Sequence, residues 1–188
     1  MLKTAESLVA LSAGRGRPAL SDLRRATSTA YYAVFHQITR HGAQCGFPTA
    51  TESEIANVTR WFTHTAIRTV AAQVVRAHGP GPAGKGDRAA VELLRADPHR
   101  PVAPKLLTLA ESFIELQDAR HDADYNNDYD PVRYATQDHV ATATLATSTA
   151  QSMWRAQSST IATRIELGDS YRRFLQLCLI TSGGARSR

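Results

Sequence analysis

The chain has 188 residues, of which 21% are charged and 43% apolar, a balance that suits one filled core and excludes wholesale disorder. Its formal charge is +5 and its pI about 9.6, but the basic residues are spread along the chain, so a nucleic-acid partner is permitted rather than specified. Cys45 and Cys178 lie far apart and match no metal-ligand spacing, so they read as two reduced thiols and no disulfide framework is expected.

The first residues, MLKTAESLVALSAGRGRP, place one lysine before a short apolar run that contains an acid, poor material for a signal peptide. No apolar run approaches the roughly 20 residues that span a bilayer. The expected location is therefore the cytoplasm, with no membrane partner.

Leu2 to Ser12 reads as a short helix, ended by AGRGRP. Ser21 and Asp22 then offer caps to a first long helix through LRRATSTAYYAVFHQITRHGAQ. At 100° per residue, Leu20, Leu23, Thr27, Ala30, Tyr31, Val34 and Ile38 share one side, the expected core face. Arg25, Thr29, Tyr32, His36 and Arg40 form a stripe on its back, which suits either an ordinary solvated face or contact with a partner helix or ligand. Tyr31 and Tyr32 put one aromatic on each side, which favours use.

Residues 51–77 open with acids and repeat Ile55, Val58, Phe62, Ile67, Val70, Val74 and Val75 at near-helical spacing, which predicts a second long helix. The following residues 79–104 belong to a stretch with five prolines and four glycines, the expected long loop, around a short helix at 89–95. A third helix is predicted from Lys105 to about Tyr125. Asp130 and Pro131 supply an N-cap and first-turn pair for a fourth, rich in Ala, Thr and Ser, that runs to about Arg155. A last short helix at 168–180 docks before a polar tail. No period-two strand pattern occurs, so the fold class is all-α: an up-and-down bundle of four to five helices in one domain over 1–188, with its core at about 20–157.

On the third helix Arg120 and Asp124 fall within roughly 60° of the side that carries Leu106, Leu109, Ala110, Phe113 and Leu116. Two readings follow. An Arg and an Asp four apart can simply lock the helix end as an ion pair; or the pair lines a polar cleft in which Arg120 meets a phosphate. Histidines and carboxylates do not recur at metal-ligand spacing, and neither a glycine-rich phosphate loop nor a nucleophile elbow is present, so no metal or cofactor is expected.

Two segments together, RRATSTAYYAVFH and LQDARHDADYNNDYDP followed by a long Ala-rich helix, resemble the HEPN superfamily as found in prokaryotic stand-alone HEPN proteins. The matching residues are Arg24, Arg25, Tyr31, Tyr32, Ala33, Phe35 and His36, then Arg120, Ala123, Asp124 and Tyr125. The resemblance implies an HEPN-like helical bundle that forms a homodimer, works in toxin–antitoxin pairs or phage defence, and in many members is a ribonuclease that cleaves RNA without metal. In those ribonucleases an Arg is followed, after four to six residues, by a His. This chain departs from that signature, since Tyr125, Asn126 and Asn127 occupy the corresponding positions. Arg133 and His139 do have the spacing, at the start of the following helix.

Cleavage of this kind needs a proton acceptor for the 2′-hydroxyl, a proton donor for the leaving oxygen and a cation on the phosphate. Arg120 suits the phosphate; His36, His121 or His139 suit proton transfer; Tyr32 or Tyr125 can stack a base; Tyr31, Asp124, Arg25 and Arg133 complete the candidate binding surface. The alternative is a non-catalytic HEPN module that binds RNA, a nucleotide, or a partner protein such as an antitoxin or a nucleotidyltransferase.

Overall fold

The computed structural model describes residues 1–11, 19–78, 88–94, 102–157 and 168–186, and among them every regular element is a helix. In chain order these are α1 (Leu2–Leu11), α2 (Leu20–Gly46), α3 (Glu52–Thr59), α4 (His64–His78), α5 (Arg88–Leu94), α6 (Pro104–Tyr125), α7 (Arg133–Ala156) and α8 (Asp169–Arg186). The all-α reading holds. The expected count of four to five does not, because eight helices form among the described residues.

Three of the eight are the short helices read at the N-terminus, within 79–104 and at the C-terminus, and the one helix not read at all comes from the middle of residues 51–77. Thr51 opens α3 with a capping box: its hydroxyl accepts from the Glu54 N–H (3.4 Å) and the Glu54 carboxylate accepts from the Thr51 N–H (2.8 Å). The helix stops where the Arg60 N–H turns back to the Asn57 carbonyl. It restarts when the Thr63 hydroxyl accepts from the Ala66 N–H. The cause is a phase slip: at 100° per residue the apolar face set by Ile55, Val58 and Phe62 lies roughly 120° from that of Ile67, Val70 and Val74. A straight helix would expose one group; the turn buries both.

Two boundaries also move. Ser21 and Asp22 lie inside the first turn of α2 rather than capping it, with the Asp22 N–H on the Ala19 carbonyl. Asp130 and Pro131 precede α7 instead of opening it. An Asx turn, in which Asn126 Oδ1 accepts from the Asp128 N–H, and the bond from the Thr136 N–H to the Val132 carbonyl start the helix at Arg133. At the other end, α8 continues through TSGGAR, past the expected stop at 180, because Ser182 is buried and accepts from the Thr63 N–H. Within the expected 79–104 loop, α5 is helical as read; residues 79–87 and 95–101 lie outside the described residues.

The chain divides into two compact units, residues 1–35 with 112–148, and 36–111 with 149–188, and the division falls inside α2, α6 and α7. In the first unit Leu23, Ala30, Tyr31 and Val34 are buried together with Phe113, Leu116, Ala143 and Ala146. Tyr31 meets Phe113 with ring centroids 5.5 Å apart. The small residues of α7 bury little area each but let backbones approach closely. In the second unit α4 packs on α8 and α5 touches both, around Ile67, Val70, Leu94, Phe174 and Leu175. Leu20, expected in the core, is 42% exposed at the helix end.

Candidate functional site

The first unit holds one polar cluster built from α2 and the C-terminal end of α6. Arg24, Ser28 and Tyr32 recur every four residues on α2 and so share a stripe; Arg120 and Asp124 do the same on α6. The Arg120 guanidinium contacts Asp124 at 2.6 Å through Nε and donates from Nη2 to the Tyr32 hydroxyl at 3.0 Å. Its central carbon stands 5.5 Å from the Tyr32 ring centre and 5.3 Å from that of Tyr125, a cation held between two aromatic rings. Asp124 also accepts the Ser28 hydroxyl at 2.5 Å.

Burial disfavours the Arg120 charge, but Tyr32, Asp124 and Tyr125 outweigh it and raise the guanidinium pKa above its ordinary value. The side chains of Arg120 and Asp124 are 17% and 28% exposed, so the pair borders solvent. Tyr125 is 64% exposed, and an exposed ring of this kind can stack a planar group. His121 lies against that ring, centroids 5.2 Å apart.

Beside this cluster Arg24 holds the turn after α6. It donates to the carbonyls of Asn127 (3.1 Å) and Tyr129 (2.5 Å), and its guanidinium lies 5.9 Å from the Tyr129 ring centre. Burial and Asp122 raise the Tyr129 pKa, against the opposing charge of Arg24. The turn forms one wall of a depression of about 430 Å³ lined by Leu20, Leu23, Asn127, Tyr129 and Pro131.

The other candidates fall elsewhere. Tyr31 is fully buried and serves as the core support of Tyr32, with centroids 5.4 Å apart. Arg25 is exposed, and its carbonyl accepts from the Thr29 hydroxyl. His139 is half-buried with Nδ1 3.4 Å from the Thr27 hydroxyl, and burial lowers its pKa although Glu115 and Asp138 oppose the shift. Arg133 lines a separate groove of about 280 Å³ with Glu6, Val9 and Gln137. His36 belongs to the second unit, where partial burial lowers its pKa. The structure thus gathers Arg120, Asp124, Tyr32, Tyr125 and His121, and adds Ser28 and Arg24.

The second unit contains a buried polar group centred on His41. Its ring stacks on Trp154 with centroids 4.5 Å apart and an interplanar angle of 8°. The Gln37 amide donates to His41 Nε2 (2.6 Å) and to Gln151 Oε1 (3.1 Å), which leaves Nδ1–H to donate to the Tyr171 hydroxyl (2.9 Å). Burial, reinforced by the charge of Arg40, lowers the His41 pKa to about 4 despite the Gln151 hydrogen bond. Every polar atom of the ring is thus used internally, and the group stabilises the unit.

Among the described residues no group of three or more His, Cys, Asp and Glu is arranged to hold a metal ion, and no helix is long and apolar enough to cross a membrane. Scans against protein-family models, curated proteins and solved structures gave no match to this chain.

Proposed function

We propose that the chain is an HEPN-type helical module that binds RNA at the Arg120 cluster, working as a cytoplasmic homodimer beside a partner such as an antitoxin or a nucleotidyltransferase. The observation that carries this reading is the Arg120 guanidinium held between the Tyr32 and Tyr125 rings, with Tyr125 open to solvent. Such a site offers a nucleotide a ring to stack on and a fixed cation for its phosphate. Asp124 already contacts the Nε edge, so the attraction is local and directional rather than that of a bare charge.

Binding without bond breaking fits the cluster better than cleavage. His139 is half-buried against Thr27, and its lowered pKa suits a neutral structural imidazole. A metal-independent ribonuclease is the second reading, and His121 favours it, because its ring sits beside Tyr125 at the edge of the cluster.

Incubation of labelled RNA in EDTA with the protein and with Arg120→Ala separates the two. Retention of intact RNA by the parent protein, lost in the variant, supports the binding module. Cleavage lost in Arg120→Ala and in His121→Ala supports the ribonuclease. RNA neither held nor cut by the parent protein rejects both.

A further inference from the structure

Trp61 and Phe47 are 44% and 40% exposed in the second unit, and their rings meet at 88° with centroids 6.1 Å apart. The two rings form a corner: a planar group lying flat on one presents its edge to the face of the other, an arrangement that favours aromatic ligands. The fold does not need either ring in its core. Phe62, the neighbour of Trp61, takes the inner place and packs over Gly42, where a side-chain Cβ would come within 2.5 Å of its ring. The same turn that buries Phe62 sets Trp61 on the surface.

Charge says what such a corner would meet. The sequence of the second unit carries fifteen Lys and Arg against eight Asp and Glu, whereas the first carries seven against nine. The carboxylates closest in sequence to the corner are engaged within the protein: Glu52 by Arg40 at 2.9 and 3.0 Å, and Glu54 in the capping box of α3. Arg60 adjoins Trp61 in sequence. An exposed aromatic corner on a strongly basic unit suits a polyanion with unstacked planar bases.

We infer that Trp61 and Phe47 form a base-stacking site for single-stranded RNA, on the more basic of the two units. The inference takes its ligand class from the RNA reading above but rests on different residues.

The chain has two tryptophans, so Trp154→Phe leaves Trp61 as its only indole. Should that variant fail to fold, the difference in emission between the parent chain and Trp61→Phe gives the same signal. Oligouridylate is titrated at low salt while Trp61 emission and the anisotropy of labelled oligouridylate are followed together. Quenching of Trp61 in step with binding, and about tenfold weaker binding by folded Trp61→Ala or Phe47→Ala, is expected. Binding by anisotropy with unchanged Trp61 emission and full affinity in Trp61→Ala overturns the stacking site and leaves the RNA reading standing. Absence of RNA binding removes both. A Trp61 emission that shifts with protein concentration without RNA assigns the corner to a second copy of the chain and overturns the inference.

Discussion

Arg120 shows how a single side chain is fixed by several weak interactions. Tyr32→Phe keeps the ring and removes the hydroxyl that accepts from Nη2, so we expect a loss of about 1 kcal/mol in urea denaturation with little change in secondary structure. Arg120→Lys keeps the charge but gives up the planar group between the two rings, and RNA affinity should fall although the protein stays folded. His41 carries a pH prediction. Its pKa is lower folded than unfolded, so between about 6.5 and 4 the unfolded chain takes up a proton that the folded chain refuses. Stability therefore falls as pH drops through that window, by about 3 kcal/mol from this group, and a folded His41→Asn variant should show a shallower slope in denaturation at each pH. The Arg120–Asp124 pair was legible from its spacing and its side of the wheel. Ser28 was not, and Arg24 was read only within the family resemblance and not as a site residue, because the stripe read on α2 was 25, 29, 32, 36 and 40, while the residues that meet the end of α6 and the turn after it follow 24, 28 and 32. Spacing alone cannot tell which of two adjacent stripes faces another helix.

Helices were the most legible elements, and their errors have local causes. The α6 span could be read from its apolar period and its flanking prolines and asparagines, and α5 was found to within one residue. The break between α3 and α4 was present in the sequence as the slip in phase between Val58 and Ile67, which spacing matched residue by residue does not reveal. Gly42 tests that break. Gly42→Ala would gain about 1 kcal/mol of helix propensity, yet its methyl would meet the Phe62 ring at 2.5 Å in a buried site, so we expect net destabilisation of about 1 kcal/mol. Phe62→Leu in the same chain should recover part of the loss, as read from denaturant midpoints. The extension of α8 was hidden because two glycines usually end a helix, and the tertiary bond from the Thr63 N–H to the buried Ser182 hydroxyl just before them has no signal in the sequence.

Across the whole molecule the charge is unevenly divided. Residues 111–138 contain eight of the 17 acidic side chains and two of the 22 basic ones, so the segment around Arg120 is acidic in a basic protein. In the proposed RNA complex, long-range attraction of the polyanion would come from the rest of the chain, and the Arg120 cluster would contribute a local phosphate contact, stacking and hydrogen bonds. Affinity for RNA should fall steeply with salt, and changing Arg120, which removes one phosphate contact, should lower that slope by about one, so that the factor lost shrinks as salt rises. The total charge was plain from composition; its separation becomes meaningful only once the contacts divide the chain. The most direct test is the anisotropy of labelled single-stranded RNA with the parent chain and with Arg120→Gln, each shown by circular dichroism to be folded. At least tenfold weaker binding by Arg120→Gln is predicted; equal affinity in a folded variant would contradict the assignment of RNA binding to this cluster.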